Sequence, residues 1–218
     1  LPVEFDASRR AKAWLSTSTE NAVARMAEVG PWHQQAQDGG LTLTFNNKAN
    51  LATTPLADIA PGISLTQGGT HNSMIVEMDK YLVVFDAPIG ESQARWTVEA
   101  ARARYPGKPI KYLVLTHHHM DHASGTRTFV AMEGATLVVG KGAKPHYQRV
   151  LSAPHRVDND LLQRTPRRTE IVEVGDKWTV GDGRRQVAAY AVDNPHAEAM
   201  LIGILAWLPL SAALAVVP

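Results

Sequence analysis

At 218 residues, with 44% apolar and 20% charged side chains, the chain has the size and balance of one globular domain with a sizeable core, which excludes a disordered chain. Lysine plus arginine total 22 against 21 aspartate plus glutamate, so the sequence has no charge excess of the kind nucleic acid or anionic membranes demand, and the short clusters Arg167-Arg168 and Arg184-Arg185 read as solvated surface. Cysteine is absent, so disulfides and thiolate ligands are excluded and any transition metal must be held by imidazole and carboxylate.

Residues 1–58 read as an N-terminal helical appendage and residues 59–218 as the main domain. The start LPVEFDASRR has neither a basic beginning nor an apolar stretch, so no leader is visible and the compartment stays open, since a removed leader would look the same. A helix is expected over residues 18–29, because Thr17 and Glu20 have capping-box spacing and Gly30 can end it. Trp32 and His33 follow that stop and read as packing or surface.

The pattern changes from residue 63. The runs MIVEM (74–78) and YLVVF (81–85), joined across Asp79 and Lys80, predict a β-hairpin. A helix follows over residues 91–105, stopped by Pro106 and Gly107, and IKYLVLT (110–116) reads as a buried strand. Residues 81–116 thus form a strand, helix, strand unit that calls for a parallel crossover, with a ligand site expected at the carboxyl end of its last strand. Next come a helix near 124–132, a strand over 135–140, and a polar stretch to about residue 168 that borders the cleft. Strands resume over 169–192, with a turn at Gly181, Asp182 and Gly183. No internal repeat at solenoid spacing is present.

Chemistry concentrates directly after the buried strand, where THHHMDHASG places His117, His119, Asp121 and His122 within a few residues. A core has no use for that density. In an extended segment residues two apart point the same way, so His117 and His119 can converge on one ion, while Asp121 and His122 continue around the turn toward a neighbouring position. His118 points away from its neighbours and is left to packing or hydrogen bonding. Asp86, at the end of a strand aimed at the same edge, suits hydrogen bonding to a ligand imidazole, with a turn role as the alternative. His71, Asn72 and Ser73 open the hairpin as scaffold or cleft lining, and His146 and His155 read as isolated, exposed residues of the polar stretch.

His117-His118-His119-Met120-Asp121-His122 resembles the His-x-His-x-Asp-His motif of the metallo-β-lactamase superfamily, and the order of hairpin, helix, strand, motif and Gly125 follows that family over about residues 60–208. The resemblance implies an αββα sandwich of the α/β (α+β) class whose C-terminal part is incomplete here. It also implies that His117, His119 and His196, in NPHAEAM, bind a first zinc, with Asp121 and His122 belonging to a second site. Three neutral imidazoles leave a coordination position open, and a zinc there lowers the pKa of its water to about 7. Asp121 would then orient that water, take its proton or hold the second metal.

The sequence also departs from the family, because no acidic residue and no histidine follows Glu198, where the resemblance expects a bridging aspartate and a last histidine. The apolar run from Leu201 to Pro218, roughly eighteen residues, reaches the lower length for a membrane span. Pro209 in its middle and the absence of a basic flank favour a truncated or frame-shifted end over an anchor. The leading expectation is a zinc-dependent hydrolase using one or two ions on an ester, lactone, amide or similar bond of a small molecule. The alternatives are a metal-binding homologue with little turnover and a mononuclear iron oxygenase of the same fold.

Overall fold

The computed structural model describes residues 56–66, 71–155 and 159–207 and the backbone of 215–217, all within one compact unit, Asn50–Pro218. The expected helix over 18–29, Trp32 and His33 lie outside the described residues. Seven strands form the first sheet in chain order: β1 (Ala57–Ala60), β2 (Ile63–Thr66), β3 (Ser73–Glu77), β4 (Leu82–Phe85), β5 (Ile110–Val114), β6 (Thr136–Gly140) and β7 (Ile171–Val174). The hairpin is present, since β3 pairs β4 antiparallel with Met74 opposite Phe85 and Glu77 opposite Leu82. After helix α1 (Glu91–Arg104) the chain returns to pair β5 parallel to β4, as the strand, helix, strand pattern required. β6 and β7 continue in parallel.

All four residues of β4 are buried, because the sheet is covered on both faces and an alternating pattern would place polar groups in one core or the other. Ile75, Val84, Leu113, Leu137 and Val139 pack under helices that contribute Val98, Phe129, Val130 and Tyr147. Met74, Val76, Val83, Phe85, Val114 and Val138 pack on the second sheet through Val187, Ala189, Leu201 and Leu205. That second sheet is antiparallel and is built from β8 (Lys177–Gly181), β9 (Arg185–Val192), β10 (Met200–Trp207) and β11 (Ala215–Val217) in the order 11, 10, 9, 8. Helices, sheet and sheet are the layers seen among the described residues.

Between β5 and β6 the chain forms a short helix α2 (Met120–Ala123) and then α3 (Thr126–Glu133), which ends on Gly134 in the left-handed region. The polar stretch before residue 168 is less irregular than its composition indicates, for it holds α4 (Lys144–Ser152) and α5 (Leu161–Arg164). Leu201 N–H donates to the Thr116 carbonyl at 2.8 Å, which ties the start of β10 to the end of β5. No helix among the described residues is long and apolar enough to cross a membrane.

Candidate metal centre

Beyond β5 the backbone stays buried through Leu115, Thr116 and His117, which carries the motif out at the sheet edge. His119 keeps an extended backbone (φ −64°, ψ 150°) and caps α2, so the chain turns helical only after the first two ligand candidates have been presented. Asp121 and His122 therefore leave from a helical turn and face a neighbouring position. The third residue of the first group comes from the other sheet. β9 ends at Val192, Asn194 Oδ1 accepts His196 N–H at 2.8 Å, and this side-chain turn brings the imidazole over the end of β5.

His117, His119 and His196 have donor atoms that all lie within 4.8 Å of one another. His117 Nε2 and His196 Nε2 stand 3.3 Å apart. Ligands of a tetrahedral ion bound at about 2.0–2.1 Å are separated by about 3.4 Å, so this spacing fits a shared zinc. His71, Asp121 and His122 form a second group under the same 4.8 Å limit. The two groups adjoin, with the His117 and His122 rings 4.1 Å apart.

Hydrogen bonds from Thr116 and Asp86 decide which nitrogen His117 and His122 present. Thr116 Oγ1 donates to Asp86 Oδ2 at 2.9 Å, so the same oxygen is left to accept from His117 Nδ1–H at 3.1 Å. The lone pair of His117 then sits on Nε2, toward His196. Asp86 Oδ2 also takes Nδ1–H of His122 at 2.8 Å, which frees His122 Nε2 in the same way. Burial first, and then the neighbouring His122, His119 and His196 rings, lower the His117 pKa from 6.5 to about 3, so this imidazole is neutral at physiological pH, as a ligand must be.

Asp86 itself adopts φ 59°, a conformation side chains other than glycine rarely take. Its N–H donates to the Val114 carbonyl, its Oδ1 accepts Thr116 N–H, and the next residue donates Ala87 N–H to the His122 carbonyl. Together these bonds hold the end of β4 against the motif turn. A lone neutral hydrogen bond contributes only about 1 kcal/mol, whereas each large apolar side chain buried beneath the site contributes roughly 1.5–3 kcal/mol. Strand packing therefore fixes the backbone and the polar network fixes ring orientation.

Asp86 bonds His122 directly and reaches His117 through Thr116. His118 is exposed, with its ring edge toward His146 at 5.4 Å, and belongs to neither group. His146 and His155 are half-buried rather than exposed, because α4 and the Asp160 loop cover them, and neither joins a group among the described residues. His71 is the residue that sequence reasoning left among the lining. Tyr147, from α4, is buried and donates its hydroxyl to the His117 carbonyl at 3.3 Å; burial pushes its phenol pKa up.

A helix-covered sheet packed on a second sheet, with imidazole and carboxylate donors gathered where strands of both end, defines the class of metallo-hydrolase-like sandwiches. The family model described as "Metallo-beta-lactamase superfamily" matches residues 66–203, and the chain belongs to this superfamily. No curated protein matches it. Among solved structures it is similar to a mutant form of a metallo-beta-lactamase from Cronobacter sakazakii with a HARLDQ motif, at 19% identity and TM-score 0.55, covering 71% of this chain and 60% of that one. The metallo-beta-lactamase SMB-1 in complex with mercaptoacetic acid is similar at 23% identity and TM-score 0.54, covering 69% and 58%. A B3 metallo-beta-lactamase with an active-site glutamic acid gives 20% identity and TM-score 0.55, covering 77% and 62%. The chain therefore spans about 60% of the length of the solved structures it matches.

Proposed function

We propose that this chain is a zinc-dependent hydrolase that turns water on an ester, lactone, amide or related bond of a small-molecule substrate, with His117, His119 and His196 as ligands of the first ion and Asp121 and His122 contributing to a second position. The observation that carries this reading is the convergence of the three imidazoles, from two different sheets, to within 4.8 Å. A surface histidine cluster has no reason to recruit a residue from a separate sheet or to fix its tautomers through Asp86. Membership of the superfamily supports the same reaction class.

Zinc held by three neutral imidazoles supplies a Lewis acid and a water whose pKa falls to about 7. His117 presents Nε2 because Thr116 occupies Nδ1, and its burial keeps competing protons away. Asp121 is half-buried beside the group, where its carboxylate would orient a water held there or contribute to the second position. His117 is buried, His119 is half-buried and His196 is exposed, so the first group runs from the core out to the surface.

The test is a panel of chromogenic esters, lactones and β-lactams with the zinc-loaded chain, beside His119→Ala. Turnover that disappears in the variant is the expected result. A metal-loaded chain that hydrolyses nothing across the panel overturns the reading, and elemental analysis of protein purified without added metal decides between zinc and iron.

A further inference from the structure

His71 lies in the turn just before β3, in a segment to which the resemblance gives no ligand role. The fold nevertheless places its Nε2 at 3.1 Å from Asp121 Oδ2, with His122 Nε2 at 3.8 Å from the same oxygen. The His71 and His122 rings meet edge to face at 5.0 Å. We propose that His71 completes a second metal position with Asp121 and His122, so that this chain draws a ligand from the start of its central hairpin. The inference rests on the reading of the site as a zinc centre.

Separations of 3.1 and 3.8 Å bracket the roughly 3.4 Å expected between ligands of one tetrahedral ion. A plain ion pair between His71 and Asp121 does not require His122 Nε2 to face the same carboxylate oxygen. Exposed pairs of that kind also hold residues only weakly. The third group is the most firmly oriented, since Asp86 holds His122 Nδ1 and turns Nε2 toward Asp121.

His71 is anchored from behind as well. Gln93, only 1% exposed on α1, donates Nε2 to the His71 carbonyl at 2.9 Å. Ser73 N–H donates to Thr66 Oγ1 at 2.8 Å and pins the first residue of β3 to β2. A buried glutamine spent on one loop carbonyl is a costly way to hold a lining residue and a direct way to hold a ligand. The geometry places three ligands of mixed imidazole and carboxylate type on one face, with the remaining coordination left to water or substrate, as catalytic zinc sites require.

The experiment is a zinc and cobalt titration of the full chain, read by bound metal per chain and by the visible absorption of the cobalt form, for wild type, His71→Ala and His119→Ala. Two ions in wild type and one in His71→Ala, with the second ion weakened more than about 100-fold, is the expected result, a loss larger than removal of an outer hydrogen-bond partner gives. Retention of both ions at unchanged affinity in His71→Ala overturns the inference, as does a wild type that binds a single ion removed by His119→Ala. No ion in wild type overturns the zinc reading itself. Should His71→Ala lose both ions, His71→Asp separates the causes: a substituted carboxylate that recovers the second ion supports ligation, and failure to recover it shows a packing role and overturns the inference.

Discussion

His117 and His196 stand Nε2 to Nε2 at 3.3 Å although 79 positions separate them in the chain. The bond from Leu201 N–H to the Thr116 carbonyl brings the two loops together, so the pair exists only when both sheets are assembled. His119→Ala and His196→Ala are each expected to lose the first ion, whereas His118→Ala keeps it. Elemental mass spectrometry on the purified variants checks this, and equal loss in His118→Ala and His119→Ala would sink the assignment.

Asp86→Asn exchanges the carboxylate that accepts hydrogen bonds from both Thr116 and His122 for an amide that offers one acceptor oxygen and a competing donor. Asparagine tolerates the left-handed backbone at this position, so the fold should persist. Metal affinity should drop about 10- to 100-fold, the usual loss when the partner of a ligating histidine is removed. Competition against a chelator of known affinity gives the number.

Arg127 is buried on α3 and pairs through Nε and Nη2 with the Asp160 carboxylate, while Nη1 donates to the carbonyls of Val150, Leu151 and Ala153 at the end of α4. One guanidinium thus closes α4 and secures the capping residue of α5. Arg127→Ala should cost about 3–5 kcal/mol, because it strands a largely buried carboxylate and three carbonyls. Urea denaturation measures the change.

The same pair predicts a pH dependence. Burial alone would raise the Asp160 carboxyl, but Arg127 and the Gln163 N–H outweigh it and hold the pKa below the ordinary 3.8. The folded state therefore binds this proton less readily than the unfolded chain. Its stabilising contribution is complete above pH 3.8 and is lost as pH falls through the folded value. In Asp160→Asn the deficit relative to wild type should be full near neutrality and shrink in acid, and an equal deficit at both pH values would contradict the pairing.

Gly140 ends β6 where the Ala199 carbonyl rests against it, in the place a Cβ would occupy. Ala199 already has φ 57° and has little room to yield. Gly140→Ala should destabilise the fold by about 1–3 kcal/mol and push away the segment that carries His196. Thermal unfolding of the metal-free protein reads the first effect. A titration of the first ion, expected to weaken, reads the second.

The motif residues were legible because His117, His119, Asp121 and His122 follow one buried strand, and local backbone geometry suffices to aim them. The hairpin and the parallel crossover were legible for a similar reason, since apolar runs bounded by turn residues leave few alternatives. His71 was not, because a histidine ahead of a strand reads the same whether it faces solvent or a carboxylate; the pairing of β3 with β4 and of β4 with β5 brings it to Asp121. Arg127 was hidden too. Its burial depends on carbonyls of α4 and on Asp160, none of which is adjacent in sequence. α4 and α5 escaped notice because each buries a single side chain, Tyr147 or Leu162, too few for a periodic apolar stripe.

Asp86 touches both halves of the cluster through one oxygen, Oδ2, which serves Thr116 and thereby His117 on one side and His122 on the other. Electron density drawn toward an ion on one side is no longer available to the imidazole on the other. If both proposed positions take an ion, their occupancies are thermodynamically linked, and the factor by which the first ion changes the affinity of the second must equal the factor by which the second changes the first. On the proposed two-ion reading, the loading curve of the chain carries an interaction constant, and Asp86 is a shared contact through which the two positions sense one another.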